Sequence, residues 1–335
     1  MIPVIKTKGP FMSFRFFGCR LATLSFFASL FVVSPIFAWG CKGHQTIALI
    51  AEKHLTPAAR QILETLLKED PIDPQLRRYC GPFPGSLLAD SSTWPDDVRN
   101  TLKNGPWHYI DIPRGAPRAP LASFCGEAGC VTQAISEQLA ILKDPQADPR
   151  KRADAARYVI HFVGDLHMPL HASTNNDEGG NCVPVRFFRR NPRDHNHSYT
   201  PNLHAVWDTA ILERAMEGAD STEYAELIDQ WFSPQAEAWM KAGVHVDDWA
   251  WESHDLAESF VYGNLVPADP IEPPVAVHSC TDDNNVGERM FNQHFFIGTI
   301  YQEAAAPLVE KRIAQAGVRL AKILNEALTP AQSPN

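Results

Sequence analysis

The sequence contains no internal repeat, no low-complexity run and no Cys-x-x-Cys pair. Solenoids, disordered chains and thiolate zinc sites are thereby set aside. Basic residues are the minority, Lys+Arg 30 against Asp+Glu 39, for a formal charge of −9. That balance excludes a simple basic nucleic-acid-binding module, whose affinity comes from Lys and Arg, unless bound cations reverse it locally. Strand patterns are scarce, limited to Trp107–Ile112 and Val183–Phe188, so a sandwich or barrel is not expected. The longest apolar stretch, Leu21–Val33, is too short to span a membrane comfortably.

That stretch has another reading. Arg15 and Arg20 precede it, and Ser34-Pro35-Ile36-Phe37-Ala38 follows. A positive start, an apolar centre and a small residue at the end predict a secretory signal peptide over residues 1–38. The expected destination is the periplasm or the extracellular space. Removal of residues 1–38 takes four basic residues and no acid, leaving 26 basic against 39 acidic, net −13. It also removes Cys19 and leaves Cys41, Cys80, Cys125, Cys130, Cys182 and Cys280, an even set that fits disulfides in an oxidising compartment. Only Cys125 and Cys130 are close enough in sequence to be paired by inspection.

In a chain that is 44% hydrophobic overall, the remainder, residues 39–335, reads as one large, mainly α domain with a few short strands. Thr56-Pro57 supplies a cap and a first-turn proline ahead of an apolar-striped helix ending at Leu67. Further helices are predicted over 44–54, 131–143, 150–167, 203–217, 222–242, 288–302 and 307–328.

Histidine is abundant, 13 in all, and its placement carries the chemistry. His161 and Asp165 stand four apart on one helix, and His204 and Asp208 repeat the spacing on another. His171 follows the first pair closely. Imidazole and carboxylate inside apolar helices need partners, and borderline cations such as zinc take both. A lone pair of this kind is more often a local hydrogen bond. Two pairs together with His171 favour metal.

The ordered motifs Trp39-Gly40-Cys-Lys-Gly43-His44, Trp94-Pro-Asp96-Asp-Val-Arg99, Trp107-His108-Tyr109-Ile-Asp111, His161 through His171, Gly179-Gly180-Asn181 and Asn202-Leu-His204-Ala-Val-Trp207-Asp208 resemble the class I zinc nucleases. These are the single-strand-specific nucleases and 3′-nucleotidases of the S1/P1 type, whose helical fold is similar to that of zinc-dependent phospholipase C. The resemblance covers nearly the whole chain after residue 38.

It implies three zinc ions. One falls to Asp96, His108, His161 and Asp165; a second to Trp39 and His44, with Asp165 bridging; the third to His171, His204 and Asp208. A free α-amine at Trp39 has an ordinary pKa near 7.7–8.0, low enough to yield its proton to a metal. Signal cleavage then becomes a step in building the site. Asp96, Asp165 and Arg99 are the implied catalytic residues, Arg99 holding a phosphate oxygen. Tyr109 is the implied base-stacking aromatic, with Asp111 and Asn181 reading the base edge. Glu178 stands where an apolar residue can complete that sandwich.

The implied reaction is hydrolysis of single-stranded DNA and RNA, and of 3′-nucleotides, to products with 5′ phosphates and free 3′ hydroxyls. Stacking on an aromatic requires an unstacked base, which accounts for single-strand preference. A phospholipase C and a non-catalytic exported zinc-binding protein are the alternatives. Neither explains Arg99 together with the base-pocket residues. Arg186, Arg189, Arg190 and Arg193, interleaved with Phe187 and Phe188, read either as a phosphate-receiving cluster or as a solvated hairpin. Asn196-His197-Ser198 is a glycosylation sequon for a eukaryotic secretory route.

Overall fold

Two long helices set the frame. In a computed structural model describing residues 39–194, 199–268 and 295–329, the first helix, α1 (Cys41–His54), packs along a 30-residue C-terminal helix. Their approach is close enough that a Cβ on Gly317 would stand 2.6 Å from Ile50 Cβ. Between these ends run α2 (Pro57–Glu69), α3 (Leu87–Ser91), α4 (Trp94–Leu102), α5 (Val131–Lys143) and α6 (Pro149–Leu166). Then come α7 (Leu203–Ala205), α8 (Ile211–Ala215), α9 (Ser221–Trp231), α10 (Ser233–Lys241), α11 (Val246–Leu256) and the C-terminal α12 (Thr299–Leu328). A π-helical turn, Val206–Ala210, joins α7 to α8. The expected mainly α architecture is observed.

Caps explain several boundaries. The Thr56 hydroxyl accepts the Ala59 amide at 3.2 Å, as the sequence predicts. Asp148 caps α6 by accepting the amides of Arg150 and Lys151, and Asp220 with Glu223 forms a capping box on α9.

Proline explains two departures from expectation. The single helix predicted over 222–242 is broken at Phe232, because Pro234 has no amide to continue the ladder of α9 and instead sits in the first turn of α10, where none is needed. Conversely, Pro307 does not start a helix; α12 runs straight through it. The carbonyl that loses its partner belongs to exposed Glu303, where water can serve, while the apolar face from Tyr301 to Leu328 is buried. The predicted helix 288–302 is overturned at its C-terminal end, where Phe295–Ile297 is a strand and helix begins only at Thr299. Its residues 288–294 lie outside the described residues, as do the signal-peptide segment 1–38, the sequon and Cys280.

The strands are short. β1 (Val185–Phe187), β2 (Arg193–Asp194), β3 (Tyr199–Thr200), β4 (Val266–Pro267) and β5 (Phe295–Ile297) form a three-stranded sheet β1-β5-β4 and the pair β2-β3. The strand expected over 107–112 is absent. A 3₁₀ turn, Gly105–His108, leads instead into an extended segment tied to residues 171–174 through Ile110 N–H to His171 O and Thr174 N–H to Ile112 O. Disulfides join Cys41 to Cys80 and, as inferred, Cys125 to Cys130; Cys182 is also disulfide-bonded. Among the described residues no helix is long and apolar enough to cross a membrane.

Candidate metal centre

Helix α6 carries the centre of the site. His161 and Asp165, one turn apart, are both fully buried. Asp165 divides its carboxylate: Oδ1 lies 3.3 Å from His44 Nε2, whereas Oδ2 lies 3.0 Å from His108 Nδ1 and 3.2 Å from His161 Nε2. Asp96, in the first turn of α4, brings Oδ1 to 3.7 Å from His108 Nδ1 and 3.8 Å from His161 Nε2. The rings of His44 and His161 stack with centroids 3.9 Å apart, and Gly164 provides the room.

A second set lies where α6 gives way to the loop beyond it. His171 Nε2 is 3.2 Å from His204 Nε2 and 3.9 Å from Asp208 Oδ1, and His204 Nε2 is 3.4 Å from Asp208 Oδ2. Asp208 sits in the π-helical turn, a distortion common at functional sites. The two sets are joined because His171 Nδ1 donates to the His108 carbonyl at 2.7 Å.

Backbone carbonyls decide which ring nitrogens carry protons. Carbonyls only accept, so Nδ1 of His161 must donate to Ser92, that of His171 to His108, and that of His204 to Gly179. A neutral imidazole with a proton on Nδ1 has a lone pair on Nε2. His171 and His204 therefore aim lone pairs at one another beside a carboxylate. Lone pairs so placed repel unless a cation lies among them. Asp165 Oδ1 and both oxygens of Asp208 are buried without a hydrogen bond.

The electrostatics tell the same story. Burial pushes Asp96 up to about 7, against the pull of His161 and Arg99. Burial lifts Asp165 well above its ordinary value and raises Asp208 as well, and lowers His108, His161 and His171. For His204 burial also acts downward, but Asp208 raises it on balance. Asp96, Asp165, Asp208, His108, His161 and His171 thus resist their own charge in isolation, as expected of ligands arranged for cations, whereas His204 leans on the Asp208 carboxylate.

Three groups can hold metal ions: His44, His161 and Asp165; Asp96, His108 and His161; and His171, His204 and Asp208. In each, one ligand atom per residue lies within 4.8 Å of the others. The ordered motifs of the sequence thus converge in space. This chain belongs to the S1/P1 nuclease family. The family model matches residues 39–329. Nuclease S1 of Aspergillus oryzae is 26% identical over 89% of this chain and 94% of its own length. Nuclease P1 of Penicillium citrinum is 26% identical over 86% and 97%, and Endonuclease 4 of Arabidopsis thaliana 26% over 88% and 90%. The S1/P1 nucleases are metal-dependent hydrolases, and this member has the His/Asp groups to hold their ions.

The remaining expected residues surround this centre. Arg99 Nη1 is 3.5 Å from Asp96 Oδ1 and lines a groove of about 510 Å³ shared with Lys103, Tyr109, His171 and Asn181. A neighbouring cavity of about 310 Å³ is lined by Tyr109, Asp111, His171, Glu178, Asn181 and His204. Asn181 donates to the Glu178 carbonyl at 2.8 Å, while its Oδ1 has no partner. Burial, with Asp177 and Glu178 nearby, raises Asp111. Trp39 is wholly buried beside α1, and the Gly40 amide donates to the Asp208 carbonyl at 2.9 Å.

Sequence reasoning missed Asp177. Its Oδ1 accepts the amides of Asn175 and Gly180 at 3.1 and 3.0 Å, and Tyr262 donates to the same carboxylate. It thereby shapes the turn whose Gly179 carbonyl sets the His204 tautomer. The cluster Asn175-Asn-Asp-Glu-Gly-Gly180 is a turn signal, but nothing in it points to a histidine 25 residues away.

Proposed function

We propose that the chain is an exported, zinc-dependent nuclease that cleaves single-stranded DNA and RNA to 5′-phosphorylated products and also acts on 3′-nucleotides. The observation that carries this is the convergence of imidazole lone pairs and carboxylates in adjoining buried groups, with tautomers held by backbone carbonyls. Zinc suits a donor set of imidazole and carboxylate. We assign Asp96, His108, His161 and Asp165 to one ion, Trp39 and His44 with bridging Asp165 to a second, and His171, His204 and Asp208 to a third. Bound zinc supplies positive charge for phosphoryl oxygens and acidifies water toward neutral pH.

The chain's own residues position the substrate. Arg99, on the groove beside Asp96, takes a non-bridging phosphate oxygen. Tyr109, 39% exposed, offers a ring face at the mouth of the smaller cavity, and only an unstacked base can lie on it. Asp111 accepts from the base edge and Asn181 presents its unpartnered Oδ1 there. Glu178 on the same wall replaces an apolar surface with a carboxylate, favouring bases that present donors. Residues 1–38 serve as the signal peptide, and cleavage after Ala38 frees the Trp39 amine; the disulfides fit the oxidising compartment this requires.

Purified protein should be assayed on single-stranded DNA, duplex DNA, RNA, a 3′-nucleotide and phosphatidylcholine. Hydrolysis of single strands and the 3′-nucleotide, with the duplex and the lipid spared, is the expected result. Lipid hydrolysis without nuclease activity would transfer the site to phospholipase C chemistry.

A further inference from the structure

The groove and the cavity that meet at the metal centre differ in charge. Tyr109, His171 and Asn181 line both. The cavity of about 310 Å³ adds Asp111 and Glu178, and neither lysine nor arginine. The groove of about 510 Å³ adds Arg99 and Lys103, and no carboxylate. In a chain of net charge −9, a groove walled by two cations and no acid suits phosphate. Base and phosphates of one strand thus meet separate walls.

The phosphate under attack needs only one of these cations. Arg99, 3.5 Å from Asp96, stands next to the metal ligands and takes it. Lys103 is exposed and has no carboxylate partner among the described residues. It follows Arg99 by four residues, about 6 Å along α4 at 1.5 Å per residue. Side chains rooted that far apart can hold two successive phosphates of one strand.

The backbone at Lys103 is unusual for a lysine. It ends α4 with φ 56° and ψ 34°, in the left-handed region that glycine occupies most readily. Its amide and that of Asn104 both donate to the Arg99 carbonyl. Buried Asn104 donates in turn from Nδ2 to the Tyr158 hydroxyl at 2.8 Å. The turn is therefore fixed relative to Arg99. Glycine would serve the turn alone, whereas lysine adds a cation at the groove.

We propose that Lys103 is a specificity-determining residue that binds the phosphate next to the one under attack, so that substrates with a second phosphate are preferred over those with one. The inference rests on the nuclease reading above and deepens it. Holding a phosphate that does not react lowers KM and leaves kcat alone. The contact is electrostatic and exposed, so salt weakens it.

The test compares TpT, which has one phosphate, with pTpT and TpTp, which add a second on the 5′ or the 3′ side. Cleavage of the internal linkage is followed by chromatography. Wild type should cleave one of the two with kcat/KM about 3- to 10-fold above TpT, through KM, and the preferred one identifies the side. High salt should shrink the preference. Lys103→Gly should bring the ratio to about one, and Lys103→Arg should retain it. Thermal melting and metal content should show Lys103→Gly folded and loaded, because its backbone suits glycine. No preference in wild type, or an unchanged ratio in Lys103→Gly, overturns the inference. Equal losses on all three substrates also overturn it and make Lys103 a support of the α4 turn. A wild type that cleaves none of the three refutes the nuclease reading. Titration calorimetry with the intact pTpT and TpTp then decides the inference, and equal affinities of wild type and Lys103→Gly overturn it.

Discussion

Arg312 donates from Nε to the carbonyl of His167 at 3.1 Å, fastening the end of the helix that bears His161 and Asp165 to α12. The same guanidinium reaches Glu252 Oε2 at 2.8 Å and Ser253 Oγ at 2.6 Å, and the Ser253 hydroxyl donates to the Leu166 carbonyl. Burial lowers the Arg312 pKa to about 10, partly offset by Glu252, so the group is charged at neutral pH. Arg312→Met removes the donor to the His167 carbonyl and to the Ser253 hydroxyl and leaves Glu252 to Arg319 alone. Chemical denaturation should show a loss of about 2–3 kcal/mol, and the folded variant should retain less metal.

Glu252 gives this network a pH signature. Burial would raise its carboxyl, but Arg319 and Arg312 overcome it and hold the group below its ordinary value of 4.5. A depressed folded-state pKa stabilises the protein above the unfolded value, and that contribution disappears as pH falls through the folded one. Glu252→Gln should therefore lower the melting temperature at pH 7 and narrow its difference from wild type below pH 4.5. A constant difference between pH 7 and pH 3 would contradict the assignment.

Gly164 separates stability from function. A Cβ there would stand 3.0 Å from His44 Nδ1 and 3.2 Å from its Cε1. Alanine favours a helix interior over glycine by about 0.5–1 kcal/mol, so Gly164→Ala should unfold no earlier than wild type. The displaced imidazole should nonetheless reduce turnover roughly 10- to 100-fold, by analogy with losses from disturbed ligand support. Wild-type turnover in the folded variant would contradict the role given to His44.

Asp111→Ala tests the base pocket. The loss of a charged hydrogen bond should raise KM for nucleotides by about one to two orders of magnitude, with metal content unchanged. Bis-p-nitrophenyl phosphate, which has no base, should be hydrolysed at nearly the wild-type rate. Equal losses on both substrates would assign Asp111 to support of the metal centre.

An N-terminal extension tests Trp39. A protein retaining Gly-Ala before Trp39 presents an amide where an amine is required, and amides are poor zinc ligands. Its fold should persist, because Trp39 is buried and Gly40 is held by the Asp208 carbonyl. Activity should fall severely, and full activity in protein whose mass confirms the extension would refute the assignment.

What the sequence revealed about the site followed chemical locality. His161 with Asp165 and His204 with Asp208 were readable because helical spacing places each pair on one face. His44, Asp96 and His108 arise from separate elements, and only their resemblance to family motifs grouped them before the fold did. The carbonyls of Ser92, His108 and Gly179, which fix the tautomers, are backbone groups and leave no residue-type signal. Similarly, the opposite effects of Pro234 and Pro307 depend on tertiary packing: one lies in the first turn of a short helix, the other within a long helix with a buried face.

The most direct test is metal analysis of the purified protein together with anomalous diffraction at the zinc edge, for wild type and Asp165→Ala. Wild type should contain about three zinc ions per chain, one at each His/Asp group. Asp165→Ala should deplete the two ions that share its carboxylate and keep the one at His171, His204 and Asp208. A single well-occupied metal in wild type, or equal depletion of all three positions in the variant, would contradict the account.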